Sequence, residues 1–462
     1  MDIRSILYNL PEVKPPVEKR LGFNAKLKWT LIILAAFFVL TNIPLYGLAR
    51  NSLERFQYLA LILGTDFGSI VSLGIGPIVM ASIILQLLVG SGILKIDITT
   101  PEGKKYFQGL QKLGVFFFIL FESLIYVLMG GLQAVPGLTG IVILQLILGG
   151  IAIMLMDEVT TKWGFGSGVS LFIVAGVART LFTGLLQFIG PTGENCLTHF
   201  STTPCGGAIL IVLQSVINGT PREALLAGAT IAVTALIFLL VVWAQSLKVE
   251  IPLSYDRVRG YNVKWPLAFL YASNIPVILV AALLANVQLF GSLVENAVGH
   301  PTILGGFTNG QAHSGLAYWL GQTNLLELLI RTHEISGRIL LQGITHVLFF
   351  AVLSTVFAVF WVKTSGMDAA TQARRILSSG LQIPGFRKDE RVLEAILSRY
   401  IMPLTVMGGI AIGLLAAITD ELGALTSGTA ILLAVMITYQ LYQNIVQQHA
   451  VDMHPTLKKM TG

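Results

Sequence analysis

Ten long apolar runs, almost free of charge, constrain this chain more than any other feature of its sequence. They cover residues 29–49, 67–94, 113–133, 138–156, 167–190, 224–247, 265–294, 339–362, 400–419 and 426–447. A helix needs about 20 apolar residues to cross roughly 30 Å of hydrocarbon, and only Glu122 and Arg179 interrupt these runs. Charged residues make up 12% of the chain, against about 25% in a typical soluble domain. The sequence therefore predicts an all-α polytopic membrane protein with ten transmembrane helices.

The basic residues predict how these helices are oriented. An even number of spans places both termini on one side of the membrane, and 24 of the 30 Lys and Arg residues fall on that side. Because basic loops stay in the cytosol, we expect a cytosolic amphipathic segment at 1–28 and a cytosolic tail at 448–462. Residues 1–28 are charged and contain proline, so no cleavable signal peptide is expected.

The runs divide into two halves of five spans, 29–190 and 223–447, on either side of a polar external loop at 191–222. Each half carries a proline near the start of its second span, in GIGPIV at 74–79 and in SNIPVIL at 273–279. Helices broken at corresponding positions indicate an inverted repeat with a path along its interface. We therefore expect two pseudo-symmetric, inverted halves around a central pore.

The start of the second span is the most unusual stretch at membrane depth. Gly74 and Gly76 permit backbone geometry that other residues resist, and Pro77 can open a helix without losing a hydrogen bond. A bilayer tolerates such a break only where it lines water or is buried in protein. The sequence therefore implies a cavity at this depth.

Cys196 and Cys205 both lie in the external loop. An oxidising compartment would let them pair, but their separation in the sequence says nothing about the geometry that a disulfide needs. A disulfide and two free thiols both stay open as interpretations. Neither makes the cysteines catalytic.

Two cytosolic loops, 248–264 and 363–398, are too long and too basic to be simple connectors. Protruding charged loops are typical docking surfaces. The alternative is that their charge only fixes the topology, and this alternative is weaker for the first loop, where Arg257 and Arg259 flank a turn at Gly260.

Four stretches stand in order along the ten-span frame. They are SIVSLGIGPIVMASIILQLL at 69–88, DEVTTKWGFGSGVSLFI at 157–173, VEIPLSYDRVRGYNVKWPLAFLYASNIPVIL at 249–279 and GALTSGTAILLAVMITYQLY at 423–442. In sequence and spacing the chain resembles the SecY family, the central subunit of the Sec protein-conducting channel, and especially its archaeal and eukaryotic branch. The resemblance implies a passive conduit in the cell membrane, which passes unfolded secretory polypeptides outward and releases transmembrane segments sideways into lipid.

The resemblance implies that six aliphatic side chains form a ring at the waist of an hourglass pore. Carried over position by position, the pore ring consists of Ile75, Val79, Val169, Ile173, Ile278 and Leu433. An apolar constriction excludes water and ions by dewetting, yet it can widen around an extended polypeptide. The alternative is that all six are ordinary packing residues, as most apolar residues in spans are.

The resemblance also implies a short plug helix next to the ring. The corresponding segment is QYLALILGTDF at 57–67, which includes Gln57, Leu61, Gly64 and Phe67. Eleven residues of helix reach only about half-way through the hydrocarbon. The alternative is a loop packed on the outer face, and displacement during transport is what distinguishes a plug.

A lateral gate between spans two and seven is implied in the same way, with Met80, Glu122 and Asn286 at the seam. An ionisable residue inside a span costs about 2.5 to 3.5 kcal/mol, so we expect Glu122 to face a wet or polar interior. Met80 departs from the family pattern, in which a threonine is common at this position. It predicts a more apolar seam that opens more readily to hydrophobic signal sequences.

The resemblance assigns Arg257, Arg259 and Arg387 to contacts with the ribosome or another cytosolic motor, since arginine suits a phosphate surface. Small SecE-type (gamma) and beta or SecG-type membrane subunits are implied as partners, together with signal sequences, nascent polypeptides and lipid. We expect no catalytic residue, metal or cofactor. The sequence has no nucleotide-binding glycine loop, so the driving force has to come from outside this chain.

Two other functions would need features that the spans lack. A secondary transporter needs polar groups that converge near the midplane, and the spans offer almost none besides Glu122 and Arg179. An intramembrane metalloenzyme needs ligands at metal spacing, but no HExxH occurs and His346 has no second ligand near it in the sequence. We therefore expect His346 to be packed or hydrogen-bonded.

Overall fold

Helices joined by short connections make up most of the structure. This computed structural model describes residues 10–18, 21–49, 68–90, 92–96, 100–129, 131–190, 194–198, 200, 203–255, 262–272, 275–308, 311–332, 336–379, 381–382 and 389–453. The helices are α1 (Phe23–Thr41), α2 (Gly76–Gly90), α3 (Pro101–Leu128), α4 (Thr139–Trp163), α5 (Gly168–Leu186), α6 (Ala208–Asn218), α7 (Pro221–Ser246), α8 (Ile275–Val298), α9 (Gly315–Leu320), α10 (Leu325–Thr332), α11 (Gly337–Thr364), α12 (Ala369–Ser378), α13 (Glu390–Glu421) and α14 (Gly428–Met453). The strands are β1 (Lys248–Tyr255), β2 (Asn262–Ala268), β3 (Gly306–Thr308), β4 (Gln311–Ser314) and β5 (Leu381–Gln382).

Ten of these helices match the ten apolar runs. Within the described residues, nine helices are long and apolar enough to cross a membrane, and α2 is a shorter apolar helix of 15 residues. At 1.5 Å per residue, α2 covers about 22 Å. The buried turns at 68–75 precede it and complete the second span.

The first helix begins and ends earlier than the apolar run that predicts it. The run covers 29–49, whereas α1 ends at Thr41. Pro44 follows, and proline has no amide hydrogen to continue a helix. The chain then folds back, because Ile70 donates its amide hydrogen to the carbonyl of Ile43 and Leu45 donates to Gly68. The end of this run therefore packs beside the start of the second span.

The two halves meet along two lines. On one side α5 packs against α14, and on the other side α2 packs against α8 and α11. Helix α8 contributes Ile278 and its neighbours to the larger apolar cluster, and Leu289 and Leu293 to the cluster of the first half around Ile119. Helix α8 thus links the cores of both halves.

The described parts of the two basic loops, 248–264 and 363–398, pair with each other, which the sequence did not predict. β1 pairs antiparallel with β2, and its far end pairs with β5, where Ser254 faces Gln382. Ile251 and Leu267 bury their side chains against α12 and α13 in a separate apolar cluster. The Tyr271 hydroxyl donates to the Met367 carbonyl at 2.7 Å, and burial raises the pKa of its phenol to about 12. The described parts of the loops therefore form one small unit.

A strap from the N-terminal segment, residues 10–18, binds the C-terminal end of α4. The Val13 amide donates to Glu158 at 2.9 Å, and the Lys162 ammonium donates to the Val13 carbonyl at 2.6 Å. Lys162 also pairs with Glu12, and the Trp163 indole donates to the Lys14 carbonyl at 3.0 Å. The strap therefore holds the C-terminal end of α4 through both side chains and backbone.

Candidate functional site

The break before α2 is a run of turns buried in protein. Gly68 and Gly74 have positive φ angles of 91° and 53°, which glycine adopts at no steric cost. Ser72 accepts a hydrogen bond from the Gly68 amide at 2.8 Å, and its own amide donates to the Ser69 carbonyl at 3.0 Å. Ile75 closes this run and is buried to 2% exposure. A membrane tolerates such a break where it lines water or is buried in protein, and this break is buried in protein.

Helix α4 supports this run of turns through a close contact. A Cβ atom at Gly149 would lie 1.9 Å from the carbonyl oxygen of Ile70. No other residue fits there without moving the backbone of Ile70. The turns can therefore take this position only because residue 149 is glycine, and Ile75 lies at the end of these turns.

The six predicted ring residues belong to, or pack against, one large apolar cluster. Five are buried members of it and Val169 packs against it with part of its surface exposed. They come from four elements: Ile75 and Val79 from the start of the second span, Val169 and Ile173 from the first turns of α5, Ile278 from the start of α8, and Leu433 from α14. The side chains are all aliphatic, so they offer water and ions no hydrogen bond or charge.

The three predicted gate residues lie on three helices, Met80 on α2, Glu122 on α3 and Asn286 on α8. The Asn286 amide donates to the Ala282 carbonyl of its own helix at 2.8 Å. Glu122 is buried to 1% exposure, and neither of its carboxylate oxygens has a hydrogen-bond partner among the residues that the structure describes. Met80 packs partly buried against the larger apolar cluster. That Glu122 faces a wet or polar interior stays a prediction.

Seven predicted residues lie outside the described residues. They are the plug residues Gln57, Leu61, Gly64 and Phe67 and the loop arginines Arg257, Arg259 and Arg387. The strands that lead into the two arginine-bearing loops are described, and Tyr255 at the end of β1 faces Leu381 of β5. The two loops therefore start from neighbouring strands.

A buried polar cluster at the junction of α13 and α14 escaped the sequence analysis. Asp420 accepts a hydrogen bond from the Thr429 amide at 2.8 Å and another from the Thr429 hydroxyl, and it lies 3.7 Å from the Nε2 atom of His346. His346 places its Nδ1 atom 2.7 Å from the Leu320 carbonyl, which confirms that this histidine is hydrogen-bonded. Glu421 accepts hydrogen bonds from Thr323. Only the folded chain brings these distant positions together.

Cys196 and Cys205 form a disulfide in the structure, with their Cα atoms 5.2 Å apart. Gln214 of α6 organises the loop between them. Its side chain accepts from the Cys205 amide and donates to the carbonyls of Phe200 and Thr203. The bridge thus belongs to a small buried unit at the base of α6.

The ten spans and the sequence that forms them match a known family. A sequence model of the SecY family matches residues 69–442. The chain belongs to the SecY family. The protein translocase subunit SecY of Methanothermobacter thermautotrophicus is 43% identical over 458 residues, which cover 98% of this chain and 97% of the relative. The SecY subunit of Methanocaldococcus jannaschii is 40% identical over 456 residues, 98% of each chain.

Solved SecY-family structures have the same fold. A structure described as that of a protein-conducting channel superposes with a TM-score of 0.83 at 37% identity and covers 98% of this chain and 99% of its own. Sec61 in the canine ribosome–channel complex from the endoplasmic reticulum gives a TM-score of 0.79 at 37% identity, with the same coverage. Such channels have ten helices in two halves, so the predicted fold class and family are confirmed.

Proposed function

We propose that this chain is the pore-forming subunit of a protein translocase in the cell membrane, with both termini in the cytosol. Unfolded polypeptides cross through the aliphatic pore ring, and apolar segments leave sideways between α2 and α8. The relatives are translocase subunits and the solved relatives are protein-conducting channels, a transport role rather than an enzymatic one. The ring is passive, so the energy for transport comes from a partner.

The observation that carries this proposal is that the ring residues share one apolar cluster. They come from the start of the second span, α5, α8 and α14, and the second span begins with buried turns rather than helix. A packed core alone does not require a broken span, because an unbroken helix satisfies its own backbone in lipid. A constriction that has to widen does benefit from elements that can move separately.

The lateral exit follows from how the halves meet. Between α5 and α14 the halves are also connected through the chain from 187 to 220, whereas no chain connection crosses the seam between α2 and α8. In this proposal Met80, Glu122 and Asn286 lie at that seam. Met80 packs against the larger apolar cluster, and the Asn286 amide bonds the Ala282 carbonyl rather than Glu122. Separation at this seam breaks packing but no hydrogen bond between those two residues. The segment 57–67 acts as the plug in this proposal.

Partners are assigned by likeness and by charge. Sec61, a solved relative, occurs in a ribosome–channel complex, and Arg257, Arg259 and Arg387 lie in the two loops that start from paired strands. Guanidinium groups bind phosphate well, so the ribosome is the partner proposed for these loops. SecE-type and beta or SecG-type subunits are proposed as the small membrane partners.

Crosslinking of a stalled nascent chain tests the conduit. Single cysteines are introduced at Ile75, Val79 and Ile278, and matched controls at Leu144 of α4 and Val352 of α11, which are 56% and 59% exposed on apolar faces. Adducts are expected at the three ring positions and not at the two controls. Equal crosslinking at the ring and at the controls would refute the proposed path.

A further inference from the structure

The N-terminus of α5 is capped from another helix. Ser167 occupies the N-cap position, but its side chain caps no amide. Instead the Oδ1 atom of Asp157, on α4, accepts a hydrogen bond from the Val169 amide at 2.9 Å and one from the Ser167 hydroxyl at 3.4 Å. A carboxylate at a helix N-terminus satisfies a free amide and interacts favourably with the helix dipole. Asp157 thus does for α5 what an N-cap residue usually does.

The two helix ends are also in close contact. A Cβ atom at Gly168 would lie 2.6 Å from the Cα atom of Asp157, so glycine is what allows the carboxylate to reach the first turn of α5. The next residue of α4, Glu158, is held by the Val13 amide and by Lys112. The Asp157 backbone is therefore fixed between the strap and α5.

The residue whose amide Asp157 holds is itself a ring residue. Val169 is the second residue of α5, and Ile173 lies one turn further along the same face. A displacement of the first turn would move both side chains at once. We propose that Asp157 is a positioning residue, which fixes the first turn of α5 so that Val169 and Ile173 close the ring. The inference rests on the proposed function, because it takes the ring to be the constriction.

The test moves the carboxylate from α4 to α5. Asp157→Ala removes the cap, and Ser167→Asp in the same chain supplies one locally, since Ser167 already has the extended φ and ψ of −80° and 135° that an N-cap needs. The full chain is reconstituted in planar bilayers for ion leak, and amide exchange is followed at 168–173. Asp157→Ala is expected to raise the ion leak and to make the first turn open about fivefold more often. The double variant is expected to restore both.

Three results decide the matter, with Ile75→Ser as the reference for a leaking ring. If Ile75→Ser leaks and Asp157→Ala does not, Asp157 does not position the ring and the conduit stands. If Ser167→Asp restores amide protection but not the seal, Asp157 acts elsewhere, for example in the cavity of about 500 Å³ that it lines between α2, α3 and α4, and the proposal is overturned. If Ile75→Ser does not leak, the ring is not the constriction and both proposals fall.

A less disruptive variant covers the case in which Asp157→Ala does not fold. Asp157→Asn keeps one acceptor oxygen and removes the charge. It is expected to leak less than Asp157→Ala and to be restored by Ser167→Asp in the same way. Thermal unfolding of each variant is measured in parallel, because a merely structural role would lower the midpoint without the local change in exchange at 168–173.

Discussion

Gly149→Ala should open the constriction from a distance. The added Cβ atom would lie 1.9 Å from the carbonyl oxygen of Ile70, whereas ordinary contacts are about 3.4 Å or longer. Either α4 or the run of turns at 68–75 therefore has to move by about 1.5 Å. The atom in the way is backbone, so rotation of a side chain cannot relieve the overlap. Ile75 ends these turns, and its side chain should leave the ring.

Overpacking of this kind costs about 1 to 3 kcal/mol of unfolding free energy. We expect Gly149→Ala to lower thermal stability and to raise the ion leak of the reconstituted chain in planar bilayers. Gly140→Ala is the matched control, because it lies on the same helix and a Cβ atom there meets nothing within 4 Å. Equal leak and equal stability for the two variants would refute the idea that close packing on α4 positions the ring.

Three further predictions concern the contacts around the channel. Asp420→Asn should lower the unfolding free energy by about 1 to 3 kcal/mol, because it weakens the acceptor for Thr429. In a double-mutant cycle with Thr429→Val the two effects should be non-additive, and additive effects would contradict a direct bond. Cys196→Ser should lower the unfolding free energy by about 2 to 3 kcal/mol, because the disulfide closes a loop with a sequence separation of nine residues. It should leave the ion leak unchanged, and a raised leak would show that the bridge acts on the constriction. The hydrogen bond from Lys162 lowers the pKa of Glu12 from its usual value of 4.5. The contribution of this bond should be complete above about pH 4.5, and the strap should loosen as the pH falls through the lower pKa of the folded state. Protection of the amides at 12–14 against exchange, corrected for the intrinsic pH dependence of exchange, would contradict this if it stayed constant over the range.

Much of the fold was predictable because the bilayer imposes a fixed length on apolar runs. The ends of the helices were less predictable from the sequence. Helix α1 stops at Thr41 although the apolar run continues to residue 49, since Pro44 and the bonds to 68–70 turn the chain back. The break before α2 was visible in Gly74, Gly76 and Pro77, but whether it faced water or protein depended on neighbours that the sequence does not identify.

The parts that could not be predicted depend on contacts between distant positions. The strands in the basic loops pair across more than 120 residues, as Ser254 with Gln382, and neither loop alternates clearly enough to be assigned as a strand. Nothing local in the sequence indicates that Asp157 caps Val169. Nothing around Gly149 distinguishes it from the other glycines in the spans. The members of the pore ring came from family resemblance, since aliphatic residues in a span look alike.

The small sheet has a mechanical consequence. β1 continues from α7, β2 leads towards α8, and β5 lies between α12 and α13. Because the three strands are hydrogen-bonded side by side, a load on one strand is shared with the helices that adjoin the other two.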